Sequence, residues 1–146
     1  MNKQSRNKPL ILFSLRFLVS GSTGLMYEIV WERILEQYFG VTTISIALIV
    51  SAYMAGMGLG SLFGGRLSQR LKRPLLVYGL VEIGIGLCGL ASPDTLAWIG
   101  RSTAGSPYGV VFVISFAVLL LPTFLMGMTL PLLSQGFIVR LENSGR

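Results

Sequence analysis

Four apolar runs divide this sequence, at Pro9 to Val30, Thr43 to Gly65, Pro74 to Ser92 and Gly109 to Ser134. Each reaches the roughly 20 residues that a helix needs to cross a bilayer. Inside lipid a chain must satisfy its own backbone N–H and C=O groups, so only helices or closed barrels can span. The runs are continuous rather than alternating, and they are too long for barrel strands. They predict an all-α, polytopic membrane protein with about four transmembrane helices, near 9–30, 43–65, 74–92 and 109–134. Composition points the same way: 52% of the 146 residues are hydrophobic and 12% are charged, with a mean hydropathy of +0.69.

The charges fix an orientation. Lys3, Arg6, Lys8, Arg66, Arg70, Lys72, Arg73, Arg140 and Arg146 fall on one side of such a layout, and only Arg33 and Arg101 on the other. The positive-inside rule then places both termini in the cytoplasm. This gives a basic amino-terminal segment over 1–8, a transmembrane domain over 9–135 and a cytoplasmic tail over 136–146, in a bacterial inner (plasma) membrane. The first run follows three basic residues, as a signal peptide would, but Arg16 interrupts it and no A-x-A-like site closes it. A retained helix is expected.

Several function classes drop out. The net charge of +6 is topological, and no basic face interleaved with aromatics suggests nucleic acid. Cys88 is the single cysteine, so no disulfide framework exists, and the absence of histidine removes the commonest zinc ligand and nucleophile partner. No metal or other cofactor is expected.

At 100° per residue each helix has a side to keep from lipid. On the first, Arg16, Ser20, Thr23, Gly24 and Tyr27 share one side, opposite Leu15, Leu18, Val19, Leu25, Met26 and Ile29. Arg16 either faces the bundle interior, where such a charge takes a partner, or snorkels to the cytoplasmic surface. On the second, Ala52, Gly56, Gly60 and Gly64 repeat every four residues, a groove that lets helix backbones approach closely. The run GLGSLFG inside it lacks the strand and solvated helix start of a dinucleotide fingerprint. On the third, Glu82 shares a face with Gly79, Gly86 and Gly89. An intramembrane carboxylate there is protonated or paired, either to hold the bundle together or to move a proton or cation. Equal depth makes Arg16 a candidate partner for Glu82. Pro122 and Pro131 in the fourth run predict a kink or tilt.

The stretch GLMYEIVWERILEQYFG, residues 24–40, sets Tyr27, Glu28, Trp31 and Arg33 where the first run ends. The aromatic rings suit the membrane interface, with Glu28, Glu32 and Arg33 pairing or capping at the outer surface. The alternative is the vestibule of an extracytoplasmic substrate site.

Three segments in order, SGSTGLMYEIVWERILEQYFG, SAYMAGMGLGSLFGGRLSQRLKRPLLVYGLVEIGIGL and LPTFLMGMTLPLLS, resemble the membrane region of the membrane-fused spermidine synthases. The resemblance covers nearly all of residues 12 to 135. In that family a helical domain similar to the major facilitator superfamily precedes a cytosolic aminopropyltransferase domain. Tyr27, Glu28, Trp31 and Arg33 match its Y-E-x-x-W-x-R element, and Glu82 its third-helix glutamate. The loop GRLSQRLKRP also resembles the major facilitator signature between helices two and three. There Gly65, Leu67, Arg70 and Arg73 match, Gln69 replaces the acidic residue and Lys72 the glycine.

The resemblance implies a membrane module that anchors or positions an aminopropyltransferase and passes polyamine, with a cytosolic aminopropyltransferase domain as a partner. No catalytic domain lies in the chain itself, because nothing supplies the Rossmann-like strand and glycine-rich turn such an enzyme needs. The alternatives are a small major-facilitator-like transporter or channel subunit, completed by a second copy or a further membrane chain, and a truncated inactive fragment. In each case the lipid bilayer is a partner.

Overall fold

The computed structural model describes the backbone of residues 3–39, 42–71, 73–103 and 105–144. The side chains of residues 1–14, 16, 17, 20, 38–42, 72, 104, 108 and 139–146 lie outside the described residues. Four helices make up the chain: α1 (Lys3–Phe39), α2 (Thr42–Arg70), α3 (Pro74–Ser102) and α4 (Tyr108–Ser144). Among the described residues, Thr43–Arg70, Pro74–Ser102 and Gly109–Ile138 are long and apolar enough to cross a membrane. The expected first span lies within α1, and several of its side chains lie outside the described residues. The all-helical class therefore stands.

The helices outrun the apolar runs, because helix ends are set by breakers and not by hydropathy. At 1.5 Å per residue the 29 residues of α2 and of α3 reach about 43 Å, against about 30 Å of hydrocarbon. The α2–α3 turn falls just before Pro74, whose ring bars Arg73 from helical geometry; Arg73 has φ −137°. After α3 the chain turns through Gly105 at φ 85°, a conformation glycine adopts without steric cost.

The α3 helix, whose apolar run stops at Ser92, continues through Pro93 to Ser102. Proline lacks the N–H that would bond the carbonyl four residues back, here Gly89. The Ser92 hydroxyl donates to that same carbonyl at 3.0 Å, so the freed acceptor is satisfied and the helix persists.

The most extensive packing joins α2 to α4, followed by α3 on α4. The α2–α4 contact is parallel and built on small residues. A Cβ on Gly56 would meet the Thr123 side chain, one on Gly60 would lie 2.9 Å from the Phe124 carbonyl carbon, and one on Gly64 would lie 2.9 Å from Met128 Cα. From the other side, a Cβ on Gly127 would lie 2.5 Å from the Met57 carbonyl oxygen. With backbones this close, Thr123 Oγ1 donates across to the Ala52 carbonyl at 3.2 Å and within α4 to that of Leu119 at 2.8 Å. Pro122 and Pro131 lie within one continuous α4. Pro131 packs at Gly64, its Cγ 3.0 Å from where a Cβ would be.

Two core clusters result, one around Trp31, Leu35, Leu48, Ile49, Ala52, Leu96 and Leu119, the other around Val81, Ile85, Met128 and Leu132. Leu15, Leu18, Val19, Leu25, Met26 and Ile29 on α1, and Leu76, Leu80, Ile83 and Leu87 on α3, are exposed. In water such apolar stripes would be a liability; in a bilayer they meet lipid.

Candidate functional site

The site is built around α1, which packs less extensively on its neighbours than α2 and α4 do on each other. Tyr27 and Trp31 stand one helical turn apart and stack, with ring centroids 5.7 Å apart and planes 12° from parallel. Both rings turn toward α3. A Cβ on Gly89 would overlap the Tyr27 ring, so the glycine is the notch that admits it. The Tyr27 hydroxyl donates to the Ile85 carbonyl at 3.4 Å. Trp31 Nε1 donates to the Ser92 hydroxyl at 2.9 Å, the same hydroxyl that serves the carbonyl freed by Pro93.

Trp31 is 1% exposed, and its polar edge bonds protein, not interfacial water. Gly89 lies about 20 Å along the axis from Ser102 and about 22 Å from Pro74 at 1.5 Å per residue, so Tyr27 stands near the middle of the bundle. The charged residues Glu32 and Arg33 follow the apolar run, while the helix goes on to Phe39.

With Tyr27 and Trp31 fixed toward α3, the next face of α1 carries Glu28, Glu32 and Glu36, four residues apart and each half-buried. Gly24 continues this face one turn toward the amino-terminal end. Tyr53 of α2 reaches across to it: a Cβ on Gly24 would lie 2.7 Å from the Tyr53 hydroxyl and 3.9 Å from Met126 Sδ of α4. Glu28 lies one helical turn beyond Gly24 on the same face of α1. Three helices thus meet at the Gly24 notch, around the Tyr53 phenol. Tyr53 itself stands about 16 Å along α2 from Thr42 by the same rise, well inside the apolar layer.

Sequence reasoning missed Tyr53, Ser92 and Gly24's role as a notch. The Tyr53 side chain sits between small residues in an apolar run, and only the α1–α2 contact gives it a meaning. The remaining candidates fall elsewhere. Arg33 is exposed, turned off the acidic row. Arg16 lies within α1 with its side chain outside the described residues. Glu82 is half-buried on α3 and has an interaction of its own. Of the glycines sharing its face, Gly89 admits Tyr27, whereas a Cβ on Gly79 or Gly86 would meet nothing within 4 Å. Ala52, Gly56, Gly60 and Gly64 are buried, and the three glycines face α4, away from the carboxylates.

Fold and site together define a polytopic helical membrane protein with acidic residues inside its bundle. The chain is similar to Multidrug resistance protein MdtL of Klebsiella pneumoniae (strain 342), 31% identical over 97 residues, which is 64% of this chain and 24% of that protein. It is 36% identical over 72 residues to MdtL of Shigella flexneri serotype 5b (strain 8401) and of Escherichia coli (strain K12 / DH10B), covering 47% of this chain and 18% of each relative. The chain therefore spans a quarter or less of the length of these relatives. No family model matches it, and no solved structure matches it. These similarities favour the transporter expectation. They lend nothing to a module fused to or serving a spermidine synthase.

Proposed function

We propose that the four helices are part of a major-facilitator-like transporter that moves lipophilic organic cations, with Glu28 as the counter-charge inside the membrane. One observation carries the reading: Glu28 stands half-buried one residue beyond Tyr27, near mid-bundle. An ionisable group at such depth is costly and marks substrate, ion or proton pathways more often than it serves stability. The similarity to proteins named for multidrug resistance, and the match of Gly65, Leu67, Arg70 and Arg73 to the major facilitator loop, support transport as the activity. The carboxylate supports cations as the cargo. Further membrane helices would complete the pathway, since the matched segments make up a quarter or less of the relatives' length.

Cells expressing the full chain should export ethidium, a lipophilic cation, faster than cells without it. Glu28→Gln should bring the rate to background and Glu28→Asp should retain part of it. Unchanged export in Glu28→Gln would remove Glu28 from the pathway, and no export by the unaltered chain would remove transport by this chain acting alone.

A further inference from the structure

The notch at Gly24 has a chemistry that the transporter reading does not use. The absence of a side chain at Gly24 leaves room for the Tyr53 hydroxyl, whose oxygen would stand 2.7 Å from a Cβ there. The ring of Tyr53 thus crosses from α2 to α1 and sets its hydroxyl on the face that carries Glu28 one turn on. A phenol offers one O–H and lone pairs on oxygen. When its proton is directed at the Glu28 carboxylate, the phenol oxygen still accepts. The Glu28 carboxylate is carried one turn on along the same face of α1, both groups are half-buried, and the polarisable Met126 thioether is 3.9 Å from the same notch.

We propose that Tyr53 is a specificity-determining residue which, with Glu28, selects organic cations bearing at least one N–H over quaternary ammonium ions. A protonated amine can donate to both the carboxylate and the phenol oxygen. A quaternary ammonium presents only methyl groups, so it gains the Coulomb attraction of Glu28 and leaves the phenol oxygen without a donor, a loss that low dielectric magnifies. The neighbouring groups do not replace this selection: Trp31 is buried and bonded to Ser92, and the Tyr27 hydroxyl is directed to Ile85. The inference rests on the transporter reading of Glu28.

The test is equilibrium binding to the purified full chain in lipid nanodiscs, using radiolabelled 2-phenylethylammonium and its N,N,N-trimethyl analogue. The unaltered chain should bind the N–H cation more tightly. Tyr53→Phe should weaken that cation by about tenfold, the loss of one charge-assisted hydrogen bond, and leave the trimethyl analogue within about twofold. Binding of the analogue is also the control that the variant is folded. Glu28→Gln should weaken both. If Tyr53→Phe weakens both cations equally or neither, the selection by Tyr53 is overturned while Glu28 stands. If Glu28→Gln changes neither, or the unaltered chain binds neither, the site itself falls and this inference with it.

Discussion

Replacing Gly60 by alanine adds one methyl group at the closest approach of α2 and α4. That Cβ would overlap the Phe124 carbonyl oxygen and lie 2.9 Å from its carbon and 3.0 Å from Gly127 Cα. All three are backbone atoms of a helix, so no rotamer change relieves them. Carbon contacts are optimal near 3.5–4.0 Å, so the helices must part by about 0.5–1 Å, which forfeits a quarter to a half of each neighbouring contact. Gly56, Gly64 and Gly127 lie on the same seam and share that loss. Overpacking of this kind costs about 1–3 kcal/mol. The matched control is Gly58→Ala, at a position where a Cβ meets nothing within 4 Å. Both variants exchange glycine for alanine inside one helix and share the propensity gain of up to about 1 kcal/mol, so their difference isolates the clash. Reversible unfolding of the full chain in mixed micelles should place Gly60→Ala about 1–3 kcal/mol below Gly58→Ala. Equal stability would mean that the seam is not the contact that holds α2 to α4.

Trp31→Phe and Ser92→Ala should be coupled: a double-mutant cycle on the same unfolding assay should give about 0.5–1.5 kcal/mol for the hydrogen bond at 2.9 Å, and strictly additive effects would count against it. For topology, a cysteine introduced at Ser102 in a Cys88→Ser background should react with an impermeant thiol reagent in intact cells and one at Asn143 should not, following the excess of Lys and Arg on the side of the termini. The opposite labelling pattern would invert the orientation.

How much of this protein its sequence determines follows from which physical constraints are local. Lipid forces helices on long apolar runs, so the helical class is legible from composition and run length alone. The period of 3.6 does the same for faces: it sets Leu76, Leu80, Ile83 and Leu87 on one side of α3, and Gly56, Gly60 and Gly64 on one side of α2. What covers a face is not local. Nothing in the glycine spacing says that α4 lies over it in parallel with Gly127 returning the contact, because small residues accept any partner that comes close. Helix ends were read too short for a similar reason. Hydropathy marks where lipid stops, whereas α3 passes Pro93 because a serine one residue earlier supplies the missing donor to Gly89. The depth of Tyr27, Trp31 and Glu28 was the least legible feature. By run length they sit at the end of a span, and only the docking of two aromatic rings on Gly89 and Ser92 draws them to the middle of the bundle. A sequence can state that a glycine and a phenol exist in neighbouring helices; the meeting of Gly24 with Tyr53 depends on the register between the helices, which tertiary contacts alone decide.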